Sequence, residues 1–445
     1  MLAKIEKYFE FQKYGTNLKT EIIAGITTFL ATMYIIVVNP AIISKTGMSF
    51  SAVLTATVLV CFFSSLMMGL YAKNPIVVAP GMGLNAFFTF SVVIGMGIDY
   101  KVALGAVFWA GIFFLLLSVF NVRTYIVKAI PQQLRFSISA GIGLFITLIG
   151  FVNAKFVVDN PATLVGISKI DAVLATFLVG LFITSYLVIK KVNGAMIIGI
   201  ITTTILSIPI GRLYGNASRY NFDGAATLVN FVGIFSSPDF SLVGQLDLFN
   251  SLTIAMFPVI FAMIFTDMFD SLSTFVGVSE AAGLLDEKGE PKNIKEGLIT
   301  DAVATTIAGL FGSSAGTAYI ESATGVEEGG RTGMTAVVAA FLFLPFMFFS
   351  PLLSIVPAIA TAPALILVGV FMMNPVTKIN WKNLSDAIPA FLSMVIIPFT
   401  YSITQGIIWG FISWTVLKIL NGEKDQVSLT MIIIDILAIV VLVLH

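Results

Sequence analysis

From Lys19 to Leu420 the sequence is paced by apolar runs of membrane length, roughly 20 residues each, with no room between them for a sizeable soluble domain. Backbone buried in lipid must satisfy its own N–H and C=O groups, so such a chain folds as membrane-crossing helices. Only 11% of the 445 residues are charged, against about 25% in ordinary soluble domains. The runs predict spans near 19–44, 51–72, 76–95, 101–120, 132–152, 170–190 and 195–213, then a polar loop over 214–250. Further spans follow near 251–280, 296–312, 331–350, 358–373, 384–400 and 403–420. A last apolar run, 428–444, carries Asp435 and stands outside this pattern; whether it spans or lies at the interface is open.

One run does not read as a plain helix. Pro75-Ile-Val-Val-Ala-Pro-Gly-Met-Gly-Leu-Asn-Ala-Phe-Phe88 begins extended, and Pro80, Gly81 and Gly83 then break any helix before a new one opens at Asn85. Broken backbone at membrane depth survives only where protein or a water-filled cavity covers it. In the second half, Gly312-Ser-Ser-Ala-Gly-Thr-Ala-Tyr-Ile-Glu-Ser-Ala-Thr-Gly325 has the same character, although hydropathy alone reads it as a loop.

Charge placement argues that the second segment crosses as well. Let the N-terminus be cytoplasmic and let both 76–95 and 313–330 span. Then 18 of the 24 Lys and Arg, Arg123 and Lys128 among them, fall inside; Lys45, Lys101, Lys155, Lys169, Arg212 and Arg219 fall outside. Without the second crossing, Arg331, Lys378, Lys382, Lys418 and Lys424 change sides and the split drops to 13 against 11. The chain thus reads as an all-α polytopic membrane protein of fourteen transmembrane segments, two 7-span repeats of inverted topology with short strands in the broken third and tenth spans. Matched interruptions in corresponding spans point to a transporter binding site.

Composition removes several chemistries. Cys61 is the only cysteine and His445, the last residue, the only histidine, so no disulfide, metal site or histidine relay is expected, and no cofactor. Lys plus Arg equals Asp plus Glu at 24 each, which gives nucleic acid no basic surface. Residues 1–18, with Lys4, Lys7 and Lys13 among aromatic side chains, read as a cytoplasmic interfacial helix rather than a signal peptide.

The eighth span carries Asp267 and Asp270. At i, i+3 they share one helical face, which Ser271 and Thr274 extend. One membrane-depth charge costs about 2.5–3.5 kcal/mol, and two on one face cost more unless one carries a proton or both meet donors. An acid that must take up a proton is what proton coupling needs; the alternative is an acid that only pairs within the bundle. Glu321 follows the candidate strand Thr317–Ile320 and opens a half-helix, where the dipole favours a carboxylate. Asn85 offers a donor and an acceptor suited to the edge of a base, and Phe87 a ring face. Ala86, Ser322 and Thr324 complete the candidate set. Glu327, Glu328 and Arg331 read as cytoplasmic-edge groups, and Asp286–Glu296 as a solvated loop.

At these residues the sequence resembles the AzgA-type purine permeases of the nucleobase–ascorbate transporter fold. The resemblance rests on the run from Asn17 to Pro40, on Ala79-Pro-Gly-Met-Gly-Leu-Asn-Ala-Phe-Phe88, on Phe265-Thr-Asp-Met-Phe-Asp-Ser271 and on Tyr319-Ile-Glu-Ser-Ala-Thr-Gly325. It covers about residues 9–420. It implies a core domain from 19–120 and 251–350, a gate domain from 132–213 and 358–420, and a homodimer formed through the gate domain; the run 428–444, read as a C-terminal apolar helix, matches nothing diagnostic. It further implies import of adenine, guanine or hypoxanthine through the cell membrane by proton symport, sodium being the less favoured ion. Asn85, Asp267, Asp270 and Glu321 would bind the base, and the three acids would serve coupling. An uncharged base gives the site no charge to balance its acids, so at least one is protonated when loaded. Two rivals remain: a same-fold carrier of another cargo, whether uracil, xanthine or an anion, and an intramembrane aspartyl protease. Anions would meet acids here, and a protease dyad needs its acids on two facing helices. No catalytic residue is expected.

Overall fold

The apolar runs become helices wherever no proline, glycine or backbone-seeking hydroxyl interrupts them. The computed structural model describes residues 2–120, 130–221, 224–285 and 291–444, so Arg123, Lys128, the loop start 286–290 and His445 lie outside the described residues. Eight of the described helices are long and apolar enough to cross a membrane, and four shorter apolar ones accompany them: Met82–Gly95, Ala195–Ser207, Gly333–Phe348 and Leu384–Thr400.

The first run is divided. Helix Leu18–Thr32, capped by the Asn17 side chain on Thr20 N–H, stops at Met33–Tyr34, and helix Ile35–Ile43 continues from there. Thr28 and Thr32 hydroxyls donate to carbonyls one turn back, and Pro40 removes an N–H from the second piece; both loosen the helical ladder. This break brings Tyr34 to the centre of the molecule. Residues 195–213 make a shorter helix than expected, because Pro209 and the left-handed Gly211 (φ 79°) follow its end at Ser207.

The two breaks found in the sequence cross. Strand β1 (Val78–Pro80) pairs antiparallel with β4 (Gly316–Ala318), Ala79 lying opposite Thr317. Gly81 N–H to Ala315 O (2.9 Å) and Tyr319 N–H to Val77 O (2.9 Å) extend the ladder at both ends. Beyond β1 the chain forms helix Met82–Ala86 and then a wider π-helical stretch, Phe87–Gly95. Beyond β4 a 3₁₀ turn, Ile320–Ser322, leads into the single-turn helix Ala323–Glu327. The tenth segment is therefore more broken than the third.

Around this crossing, helix Ile294–Phe311 packs on Tyr100–Val119, and Gly333–Phe343 packs on Leu18–Thr32 and Phe50–Leu70. A second set joins Gln132–Asn153 to Ala358–Met372 and Leu384–Thr400, with Ala172–Ile189, Ala195–Ser207 and Ile403–Leu420 around them. Helix Phe257–Ala282 touches both sets, packing on Tyr100–Val119 as well as on Gln132–Asn153 and Ile403–Leu420.

Two peripheral features differ from expectation, and a third, the C-terminal helix, forms where it was expected. The N-terminal helix covers only Leu2–Tyr8, because the chain takes left-handed turns at Glu10 (φ 58°) and Gly15 (φ 61°). Phe9 and Phe11 then turn inward, and Tyr8 donates to Leu70 O at 2.7 Å. An unforeseen hairpin, β2 (Val157–Asn160) with β3 (Leu164–Ile167), follows helix Gln132–Asn153; Asn160-Pro161 carries its turn signal. The last run forms helix Leu429–Leu444, packed on Ile403–Leu420 with Asp435 buried between them.

Candidate functional site

Asp270 and Glu321 open into one cavity of about 520 Å³, within the range of small-molecule sites. Its deep end is the strand crossing: Met82, Gly83, Thr317, Ala318, Tyr319 and Tyr34. Its wide end reaches helix termini that carry Gln132, Arg135, Glu280 and Lys378, and Val276 and Ile320 on its wall are about two-fifths exposed, so the cavity opens to one side.

Side-chain placement in the deep end follows from the breaks. The Tyr34 hydroxyl, delivered by the interruption at 33–34, donates to Glu321 Oε1 at 2.7 Å. Tyr319, on the exit from β4, donates to Pro80 O at 2.6 Å and so ties one half-segment to the other. Gly83 is required by close approach, since a Cβ there would lie 2.5 Å from Ile142 Cγ2. The cavity floor thereby rests against helix Gln132–Asn153.

The two aspartates part company. Helical residues three apart differ by about 60° around the axis, and the structure uses that difference. Asp270 and Thr274 look into the cavity. Asp267 and Ser271 look the other way, into a packed region between helix Ile294–Phe311 and β4. There Asp267, only 1% exposed, accepts from the Thr305 hydroxyl at 2.5 Å. The shared face expected for Asp267, Asp270, Ser271 and Thr274 is therefore two adjacent rows.

Asn85, Ala86 and Phe87 are buried at the start of the half-helix and do not line the cavity as it stands. Asn85 Oδ1 accepts from the Ser314 hydroxyl, which links the two breaks a second time. Ser322 accepts the Val77 N–H at 3.0 Å, and Thr324 donates to Glu321 O at 2.8 Å, so both hold the half-segments from outside the cavity. Of the eight candidate residues, Asp270 and Glu321 face the open space; the other six form the shell that fixes it.

Sequence reading missed five polar groups. Tyr34 and Tyr319 carried no site role in the sequence, and Arg135 and Lys378 counted only among the cytoplasmic cations; the first pair orders the acidic end and the second lines the cavity. Asp301 is fully buried on helix Ile294–Phe311 and accepts from the Ser271 hydroxyl. An acid inside a predicted span was signal enough to find it.

Comparison with known proteins places the chain. Residues 19–409 match the model of the Permease family, Xan_ur_permease. The adenine permease AdeP of Escherichia coli is 42% identical over 443 residues, covering 99% of this chain and 96% of that protein. The guanine/hypoxanthine permease PbuO of Bacillus subtilis is 39% identical, covering 96% and 98% respectively. Among solved structures, the transmembrane domain of the cyanobacterium bicarbonate transporter BicA superposes with a TM-score of 0.64 at 16% identity, over 88% of this chain and 97% of that one. That likeness concerns the fold, which is the inverted-repeat transporter fold expected from the paired breaks. The chain is thus a multi-pass membrane protein and a transporter rather than an enzyme, and it belongs to the Permease family.

Proposed function

We propose that this protein imports purine nucleobases across the cell membrane by proton symport, with its N-terminus cytoplasmic and its core moving against its gate. The observation that carries the reading is the pairing of Asp270 with Glu321 in one cavity at the strand crossing. Carboxylates accept the ring N–H groups of a purine, and a planar base fits a cavity of this size. The relatives named for adenine and for guanine and hypoxanthine supply the substrate class.

In this reading the core comprises 19–120 and 251–350 and the gate 132–213 and 358–420. Asp270 and Glu321 touch the base directly. Tyr34 orients Glu321, while Asn85, Ser322 and Thr324 hold the half-helix ends that frame the base. Asp270 and Glu321 cannot both stay charged beside a neutral base at low cost, which ties substrate loading to proton uptake. Helix Gln132–Asn153, abutting Gly83 and contributing Arg135, is the wall that closes over the base when core and gate approach.

A second reading has one specific observation in its favour. Arg135 and Lys378 line the same cavity, so an anion would find cations there, as well as two acids. The two readings separate in proteoliposomes. Labelled adenine or hypoxanthine taken up under an inward acid gradient, lost in Asp270→Asn and unaffected by excess bicarbonate or sulfate, supports the nucleobase reading. Purine-insensitive uptake of bicarbonate or sulfate supports the other.

A further inference from the structure

Behind the cavity, two facing helices make an acid–hydroxyl square. Asp267 and Ser271 stand one turn apart on helix Phe257–Ala282, and Asp301 and Thr305 one turn apart on helix Ile294–Phe311. Each acid accepts from the hydroxyl of the opposite helix: Thr305 donates to Asp267 Oδ2 at 2.5 Å and Ser271 donates to Asp301 Oδ2. These two bonds cross between the helices and so draw the two carboxyls together. Asp267 is 1% and Asp301 0% exposed, and each keeps one oxygen, Oδ1, with no donor among the described residues. Two acceptor-only groups cannot satisfy one another until a proton lies between them.

Among the described residues, no ion pair neutralises the square. Titratable groups on the adjoining elements include Asp270, one position before Ser271, Glu321 and Tyr319 past β4, and Cys61 on helix Phe50–Leu70, which packs on helix Ile294–Phe311. None is a cation, and among the described residues no Lys or Arg pairs with either aspartate. Two bare carboxylates buried side by side carry a cost that one shared proton removes.

The square is also wired to the cavity. Ser271 and Thr317 hydroxyls are 2.7 Å apart, and Thr317 lines the cavity floor beside Asp270. Ser271 therefore stands between Asp301 and a group that bound water or substrate can reach. Thr305 adds a connection to the strand crossing. Its hydroxyl lies 2.5 Å from Asp267 and 3.0 Å from Gly316 O, and it has one proton to give. When Asp267 is ionised, Thr305 donates to it; when Asp267 carries a proton, Thr305 is free to donate to β4. Protonation of the pair is thus read by the strand that frames the base.

We propose that Asp267 and Asp301 form a buried carboxyl pair, outside the base-binding cavity, that holds the co-transported proton, and that the Thr317 and Ser271 hydroxyls pass it to and from the cavity. The proposal rests on the purine symport reading above. It assigns substrate contact to Asp270 and Glu321 and proton storage to a pair that includes an acid on the ninth span.

The test uses the full-length protein in proteoliposomes, with labelled adenine and hypoxanthine as probes. A one-to-one symporter under a gradient of one pH unit concentrates its substrate up to about tenfold. Asp301→Asn is expected to bind adenine or hypoxanthine within about threefold of wild type and to exchange internal for external label. It should fail to accumulate label above equilibrium under the same gradient. Ser271→Ala keeps both acids and breaks the hydroxyl path, so it should reach the wild-type plateau several-fold more slowly. Infrared difference spectra on adding substrate should show a protonated-carboxyl band that Asp301→Asn removes. The pair is refuted by an Asp301→Asn protein that accumulates label like wild type, by one that loses binding as fully as Asp270→Asn, or by accumulation that follows a sodium gradient instead. Should Asp301→Asn fail to fold, Ser271→Ala taking up label at the wild-type rate refutes the path by itself. A wild-type protein that binds neither purine overturns the symport reading and the pair together, which separates that failure from the failure of the pair alone.

Discussion

Tyr34→Phe removes one oxygen from the acidic end of the cavity and leaves the ring in place. In the wild-type protein that oxygen donates to Glu321 Oε1 at 2.7 Å, and Glu321 faces the space where the base is held to bind. A hydrogen bond to a charged group is worth about 1.5–3 kcal/mol when one partner is deleted. Water entering from the open side replaces part of it, so the lower end of the range applies, and roughly 1.5 kcal/mol is about tenfold in Kd. The Tyr34 ring packs 6.4 Å from the Tyr319 ring and keeps that contact as Phe, so the fold should lose little. The assay is equilibrium binding of labelled adenine and hypoxanthine to purified protein, run as a double-mutant cycle with Glu321→Gln. If Tyr34 acts by holding the Glu321 carboxylate, the two losses are non-additive, and Tyr34→Phe costs less once Glu321 is Gln, whose neutral amide oxygen accepts a weaker bond. Affinity within twofold of wild type for Tyr34→Phe alone, or full additivity in the cycle, refutes the argument.

Other expectations follow from the same geometry. Asn85→Ala leaves the Ser314 hydroxyl without its acceptor in a fully buried position, so it should lower thermal stability by about 1–3 kcal/mol as well as weaken binding; an unchanged unfolding temperature in detergent contradicts this. Gly83→Ala should cost about 1–3 kcal/mol through overlap with Ile142 and slow uptake, and Ile142→Ala, which removes the offending methyl, should recover part of the rate in the double variant. Lys418→Met strips the charge that Asp386 (3.2 Å) and Glu423 (2.6 Å) share between helices Leu384–Thr400 and Ile403–Leu420. Both acids are partly exposed, so the loss should be about 2–3 kcal/mol rather than the full cost of a buried pair. Lys418 holds the Glu423 carboxyl below the usual carboxylate range. That tie therefore contributes at neutral pH and disappears only as the pH falls through the lowered value; thermal melts of wild type and Glu423→Gln should converge in acid.

Much of the site was legible from residue type and spacing because its physics is local. Pro80, Gly81 and Gly83 cannot sit in an uninterrupted helix, and a second glycine-rich segment at the matching place in the other half predicts a partner; the β1–β4 pairing joins the two. The acids stood out because carboxylates in apolar spans are costly. What sequence could not give was the direction in which each faces. Asp267 and Asp270 differ by about 60° of helix rotation. Only the packing of helix Ile294–Phe311 and β4 against one row decides that Asp267 meets Thr305 while Asp270 meets open space. Tyr34 was equally hidden, since its role depends on a helix interruption at 33–34 that no proline or glycine marks in the sequence. The sequence-based case against an anion assumed that only acids reach the site; Arg135, three residues into its helix, and Lys378, just past another, reach the cavity from the opposite wall. Asn85, read from sequence as a contact for the base, has a hydrogen-bonding duty in the fold itself.

The central claim is that the Asp270–Glu321 cavity carries a purine nucleobase together with a proton. It is tested most directly by uptake of labelled adenine, guanine, hypoxanthine and uracil into proteoliposomes containing the wild-type protein, under an imposed pH gradient and, separately, an imposed sodium gradient. The account predicts that at least one of the three purines accumulates with the inward acid gradient and not with sodium, and that Asp270→Asn and Glu321→Gln abolish this. Purine uptake that ignores the pH gradient, or that survives both substitutions, would contradict it.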